Sequence, residues 1–147
     1  MDNFEEENIE DNVEKEVRIL LKRVGLKPKE MVIPNTLEAK QELVHGMIEN
    51  VYLDDLGVDL ICNEEGKLED MNPNLTLFYD YIAGDCFFIG DDFENAGYKS
   101  LTDEEIDNIE AFIKLREFKY KTDLLEEMYR NEFDEEELKD LIEGDER

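Results

Sequence analysis

Basic residues are what this chain has least of relative to need. Its 147 residues carry 16 Lys and Arg against 42 Asp and Glu, a formal charge of −26 and a pI near 4.1. A protein that holds DNA, RNA or an anionic membrane surface needs a cationic face, so direct nucleic-acid or membrane-surface binding is excluded as its main business. Histidine is nearly absent too. The single one, His45, sits at the end of an expected helix with no local Ser or Cys partner, so it reads as a helix-end residue rather than a catalyst. The two cysteines, Cys62 and Cys86, lie in apolar runs without CxxC spacing. That excludes a disulfide framework and a zinc cluster, and it points to buried thiols in a reducing compartment. No uncharged apolar run approaches the ~18–20 residues of a membrane span. The opening Met1-Asp2-Asn3-Phe4-Glu5-Glu6-Glu7 is the reverse of a basic-then-apolar leader. The expectation is a cytoplasmic protein.

What is present suffices for one core. Hydrophobic residues make up 41%, enough to rule out global disorder, and the length suits one domain. The charge is uneven: residues 1–16 carry net −7, 17–50 net +2, 51–99 net −10 and 100–147 net −11. A near-neutral stretch therefore stands between an acidic arm and two acidic segments.

Residues 1–16, apolar only at Phe4, Ile9 and Val13 among their interior positions, read as an acidic N-terminal arm. Val17, Ile19, Leu21 and Val24, with Leu20 on a second face, predict a strand ending at Gly25, and Met31-Val32-Ile33 a second one closed by Pro34. Asn35 with Glu38 predicts a capping box opening a helix that stops at Gly46. Ile48–Leu53 and Val58–Cys62 read as strands, residues 69–76 with Asn72-Pro73-Asn74 as a loop, and Phe78–Ile89 as one bent strand or two short ones around Gly84. From Thr102 the period becomes helical. Thr102 with Glu105 caps a helix through Ile106, Ile109, Phe112 and Ile113; Leu124 to Tyr129 resumes it; Asp134 with Glu137 opens a last one. Strands first and helices late imply an α+β fold: a small mixed or antiparallel sheet in β-β-α-β-β-β order with a C-terminal helical extension. The expected organisation is an arm at 1–16, a core domain at 17–115 and an acidic helical tail at 116–147.

The chemistry-bearing motifs are few. Asp92, Glu94, Gly97 and Asp103 fall at calcium-loop spacing, but Ala96 occupies a ligand position and a strand precedes the segment, so no metal site is expected. There is no GxxxxGK[ST] and no GxGxxG, and no carboxylate pair stands out from the acidic background. The expectation is a non-enzymatic protein without a cofactor.

From about Val17 to Ile113 several short segments occur in order: Ile33-Pro34-Asn35-Thr36-Leu37-Glu38-Ala39, Gln41-Glu42-Leu43-Val44 with Gly46, Cys62-Asn63-Glu64-Glu65-Gly66-Lys67-Leu68, Asn72-Pro73-Asn74, Ile82-Ala83-Gly84-Asp85 and Ser100-Leu101-Thr102-Asp103-Glu104-Glu105. In these the chain resembles the family known as domain of unknown function 3846. The family pattern has Gly where this chain has His45, and Arg where it has Leu75. The resemblance implies a setting in phages, plasmids and conjugative elements, hence a host bacterial cytosol. It brings no reaction or cofactor, and its matching residues are mostly caps, turns and core positions.

Three functions fit. The first is inhibition by charge mimicry. Asp103, Glu104, Asp107 and Glu110 on one expected helix, and Asp134, Glu135, Glu136 and Asp140 near the end, recur at i, i+3 and i+4 and would imitate the field of a duplex. The partner would be a protein with a basic surface, a host nuclease or defence effector, inhibited in anti-CRISPR or anti-restriction fashion. The second is a binder of a nucleotide-derived signal, using Tyr79, Tyr81, Phe87, Phe88 and Tyr98 with a basic rim of Arg18, Lys22, Arg23, Lys27 and Lys29. The third is an adaptor docking a partner through the tail's apolar stripe, Leu124, Leu125, Met128, Tyr129, Phe133, Leu138 and Leu141.

Overall fold

The structure is a computed structural model that describes residues 14–143. Most of the expected arm, residues 1–13, lies outside the described residues, as do the last four. The strands are β1 (Glu16–Lys22), β2 (Lys29–Pro34), β3 (Ile48–Leu53), β4 (Val58–Asn63), β5 (Pro73–Leu77), β6 (Asp80–Ala83), β7 (Cys86–Asp92) and β8 (Gly97–Lys99). The helices are α1 (Leu37–Val44), α2 (Asp103–Arg116), α3 (Thr122–Met128) and α4 (Glu135–Glu143). The main sheet runs β2-β1-β7-β4-β3, with β8 against the end of β7, and β5 and β6 form a separate hairpin. Every pairing between these strands is antiparallel, which makes the fold α+β with its helices gathered late.

Both faces of the sheet are covered, which is why β1, β4 and β7 read as nearly continuous apolar runs. On one face Val17, Ile19, Leu21, Ile61, Phe87 and Ile89 pack with Val44 of α1. On the other, Leu20, Leu60, Cys62, Cys86 and Phe88 meet Leu75 and Ile82 of the hairpin and Ile106, Ile109 and Ile113 of α2. A third cluster joins Leu26, beyond the end of β1, to Leu125, Tyr129 and Leu138 of the tail helices.

Three expectations change, and one open alternative is decided. The segment 69–76 is not all loop: β5 begins at Pro73, and Asn74 and Leu75 are wholly buried. The local turn chemistry of Asn-Pro-Asn yields to long-range partners, since the Asn74 amide donates to the carbonyls of Lys22 and Gly84, each at 2.9 Å. Of the two readings of Phe78–Ile89, two short strands hold: β6 and β7 are parted at Gly84, whose φ of 90° carries the chain from the hairpin into the main sheet. Thr36, not Asn35, caps α1 by accepting from the Ala39 N–H. The left-handed residue ending α1 is His45 (φ 66°), not Gly46, a backbone conformation that favours Gly. The capping boxes expected at Thr102/Glu105 and Asp134/Glu137 are both formed.

Candidate functional site

The helix faces selected from the sequence are real surfaces. Asp103, Glu104, Asp107 and Glu110 are all exposed along α2. Asp103 pairs with Arg18 at 2.8 Å; the other three have no ion-pair partner among the described residues. Apolar Ile106, Ile109 and Ile113 turn the opposite side of the same helix into the core, so packing fixes the orientation of the acidic side. Acids in a helix's first turn are explained by the macrodipole. That covers Asp103 and Glu104, but Asp107 and Glu110 lie beyond the first turn. On α4, Glu135 and Glu136 are exposed first-turn residues, Asp134 accepts from the Glu137 N–H at 2.8 Å, and Asp140 is exposed. No hydrogen bond or ion pair joins the two acidic sets among the described residues.

The sets instead border different hollows. A groove of about 1040 Å³ runs between α2 and the tail, with Asp107, Glu110 and Glu117 among its walls and Leu26, Ile113, Phe118, Leu125 and Ile142 among its apolar lining. Lys27, Lys114 and Lys119 also line it, so its charge is mixed. Asp134 and Glu135 border a second, smaller hollow together with Glu126, Glu127, Arg130 and Phe133. The sequence reading passed over Glu126 and Glu127, because only the turn before α4 brings them beside Asp134.

The residues that carried the resemblance do another job. Asn74 Oδ1 accepts from the Lys22 ammonium at 3.2 Å, and the same ammonium donates to the Arg23 carbonyl at 3.0 Å and lies 3.6 Å from Glu117. Lys22 is fully buried, and burial pulls its pKa below the usual lysine value despite Glu117. Asp85 accepts from the Val24 N–H at 3.0 Å and from Arg23 at 3.2 Å, and its Oδ2 lies 3.0 Å from His45 Nε2. Asn63 donates to the Val44 carbonyl at 2.9 Å and accepts from the Glu65 N–H at 2.7 Å. Ser100 accepts from the Arg18 N–H at 2.9 Å. Each is a side chain pinning backbone that strands and helices leave unpaired. The thiols offer no nucleophile: burial pushes Cys62 up to about 12 and Cys86 higher still.

Residues 17–114 match the model of a family described as Domain of unknown function (DUF3846). The chain belongs to that family. No curated protein and no solved structure matches it. The tail helices lie beyond the matched span, whereas the sheet and α2 lie within it but for Glu16, Leu115 and Arg116. Leu75 is buried with Ile106, Ile109 and Ile113 of α2 in the core.

The features behind the other two functions are dispersed. Phe87 and Phe88 are buried on opposite faces of the sheet, while Tyr79 and Tyr81 stand on the hairpin. Of the supposed basic rim, Arg18 is paired with Glu30 and Asp103, Arg23 with Asp85 and Glu132, and Lys22 is inaccessible. The tail's stripe is largely used internally, with Leu125, Tyr129 and Leu138 buried. Among the described residues no group of three or more His, Cys, Asp or Glu is placed to hold a metal ion, and no helix is long and apolar enough to cross a membrane.

Proposed function

We propose that this member of the family is a non-enzymatic accessory protein of a mobile element. It inhibits a host nucleic-acid-binding defence protein, of the anti-CRISPR or anti-restriction kind, by offering acidic helix faces in place of DNA. The observation that carries this reading is the row Glu104, Asp107 and Glu110, exposed and without ion-pair partners among the described residues on a helix whose other side is anchored in the core. Three residues of helix rise ~4.5 Å, against ~3.4 Å of axial rise per phosphate of one DNA strand. A basic groove would meet a row of carboxylates on a helix anchored by Ile106, Ile109 and Ile113. The net charge of −26 adds a long-range field that draws a cationic partner.

The test uses restriction and CRISPR nucleases on a DNA substrate, with the full chain and with the triple variant Glu104→Gln, Asp107→Asn, Glu110→Gln. Inhibition should weaken roughly tenfold or more in the variant, and in the unaltered chain on going from low to high salt. Absence of inhibition across the panel, or equal potency of the variant, refutes the proposal.

A further inference from the structure

The tail helices α3 and α4 lie beyond the family-matched span, yet they cover one defined strip of it. The strip is Arg23 to Lys27, the chain leaving β1. Its contacts with the tail centre on one arginine and a few backbone hydrogen bonds. Arg23 holds Glu132 with both terminal nitrogens, one of them at 2.9 Å, while Asp85 steadies its Nε at 3.2 Å. The guanidinium sits 5.1 Å from the centre of the Tyr129 ring and 5.8 Å from that of Phe133. The Tyr129 hydroxyl donates to the Val24 carbonyl, and the Lys27 N–H donates to the Leu141 carbonyl at 3.0 Å. Leu125 rests on Gly25, where an added Cβ would stand 2.3 Å from its Cδ2. An Arg–aromatic anchor ringed by a few backbone bonds is hot-spot chemistry. The apolar seal is small, with Leu125, Tyr129 and Leu138 the buried tail residues, and the link at residues 119–121 is not helical.

We infer that the Arg23–Lys27 strip is a helix-accepting surface of the family domain, and that residues 122–143 are its detachable occupant, seated here from the same chain and exchangeable with the same segment of a second copy. The strip selects a short acidic helix together with the turn that follows it, since Tyr129 caps α3 and Glu132 stands in the turn before α4. A Leu fills the space over Gly25, a Tyr four residues on reaches the Val24 carbonyl, and a Glu three further on takes the guanidinium, as Leu125, Tyr129 and Glu132 do. This surface borders the groove that Asp107 and Glu110 wall, but its contacts with the tail use none of the α2 carboxylates, so it stands or falls independently of the inhibitor reading.

Native-state hydrogen exchange on the full chain tests the hinge. In Glu132→Gln, the amides of 122–143 should exchange at least tenfold faster while those of β1, β4 and β7 keep their rates. A uniform rise across tail and sheet would mean that the tail is an integral part of the core, and would overturn the inference. A fluorescein-labelled peptide of residues 119–143 tests exchange between copies. It should bind the Glu132→Gln chain more tightly than the unaltered chain, whose own tail competes better, and at least tenfold more weakly to a chain carrying both Glu132→Gln and Arg23→Ala. No binding to the Glu132→Gln chain, or binding unaffected by the loss of Arg23, overturns it.

Discussion

Replacing Asp59 by Asn should make the protein more stable at neutral pH and leave it unchanged in acid. Asp59 stands on β4, 1% exposed, among Asn50 of β3, Asp91 of β7 and Tyr98 of β8. Burial pushes its carboxyl up to about 6, and the neighbouring Asp91 carboxylate pushes the same way against the hydrogen bond from Asn50. The folded value lies above the unfolded one, so the protonated acid is the form that folding favours. Its contribution is fully present below about pH 4 and is lost as the pH rises through about 6. At full weight the interval from 3.8 to about 6 corresponds to ~3 kcal/mol. Asp91 is only half-buried, and water reaching the pair reduces the expected share to ~1–2 kcal/mol. Asn mimics the protonated acid, since its oxygen accepts from Asn50 and its NH₂ donates to Asp91. The assay is thermal melting of both chains from pH 4 to pH 8. Taking the difference between them cancels the titration of the other carboxylates. Asp59→Asn should melt roughly 3–8 °C higher at pH 7, with the gap closing by pH 4. A gap independent of pH, or a variant less stable at pH 7, would show that Asp59 is held ionised throughout and would refute the reasoning.

Other outcomes follow from the same contacts. Asn74→Ala strips the buried Lys22 ammonium and two backbone carbonyls of a partner, and urea denaturation should show a loss of ~2–4 kcal/mol. Thr102→Ala removes the side-chain half of a formed capping box, a loss of ~1 kcal/mol by the same measurement. Both thiols should resist an aromatic disulfide reagent at pH 8 in the native protein and react at once in urea, because burial, not chemistry, protects them; fast native labelling would contradict the packing. The triple variant of α2 used against nucleases should fold within ~0.5 kcal/mol of the unaltered chain, so any loss of inhibition reads as lost contact rather than unfolding.

How legible the molecule was depends on how far each feature reaches along the chain. The strands at Ile48–Leu53 and Val58–Asn63, the helix from Asp103 and its Thr102/Glu105 box were readable because their causes lie within a few residues. So were the exposed acids of α2, since a helix with Ile106, Ile109 and Ile113 on one side must put Asp107 and Glu110 elsewhere. β5 was misread because Asn74 has turn chemistry locally, while its partners are 52 residues back at Lys22 and 10 ahead at Gly84. β8 was missed because three residues carry no period.

The sequence alone determined the family, the fold class, the starts of α2 and α4 and the excess of carboxylates, all of which follow from local pattern and composition. Only the tertiary structure decided that Asn74, Asp85 and Asn63 pin backbone, that Asp59 is buried beside a second acid, and that the tail helices close over Arg23. Each of these depends on a partner distant in sequence, and whether two such side chains meet is set by how the sheet and helices pack, which no short window of residues contains.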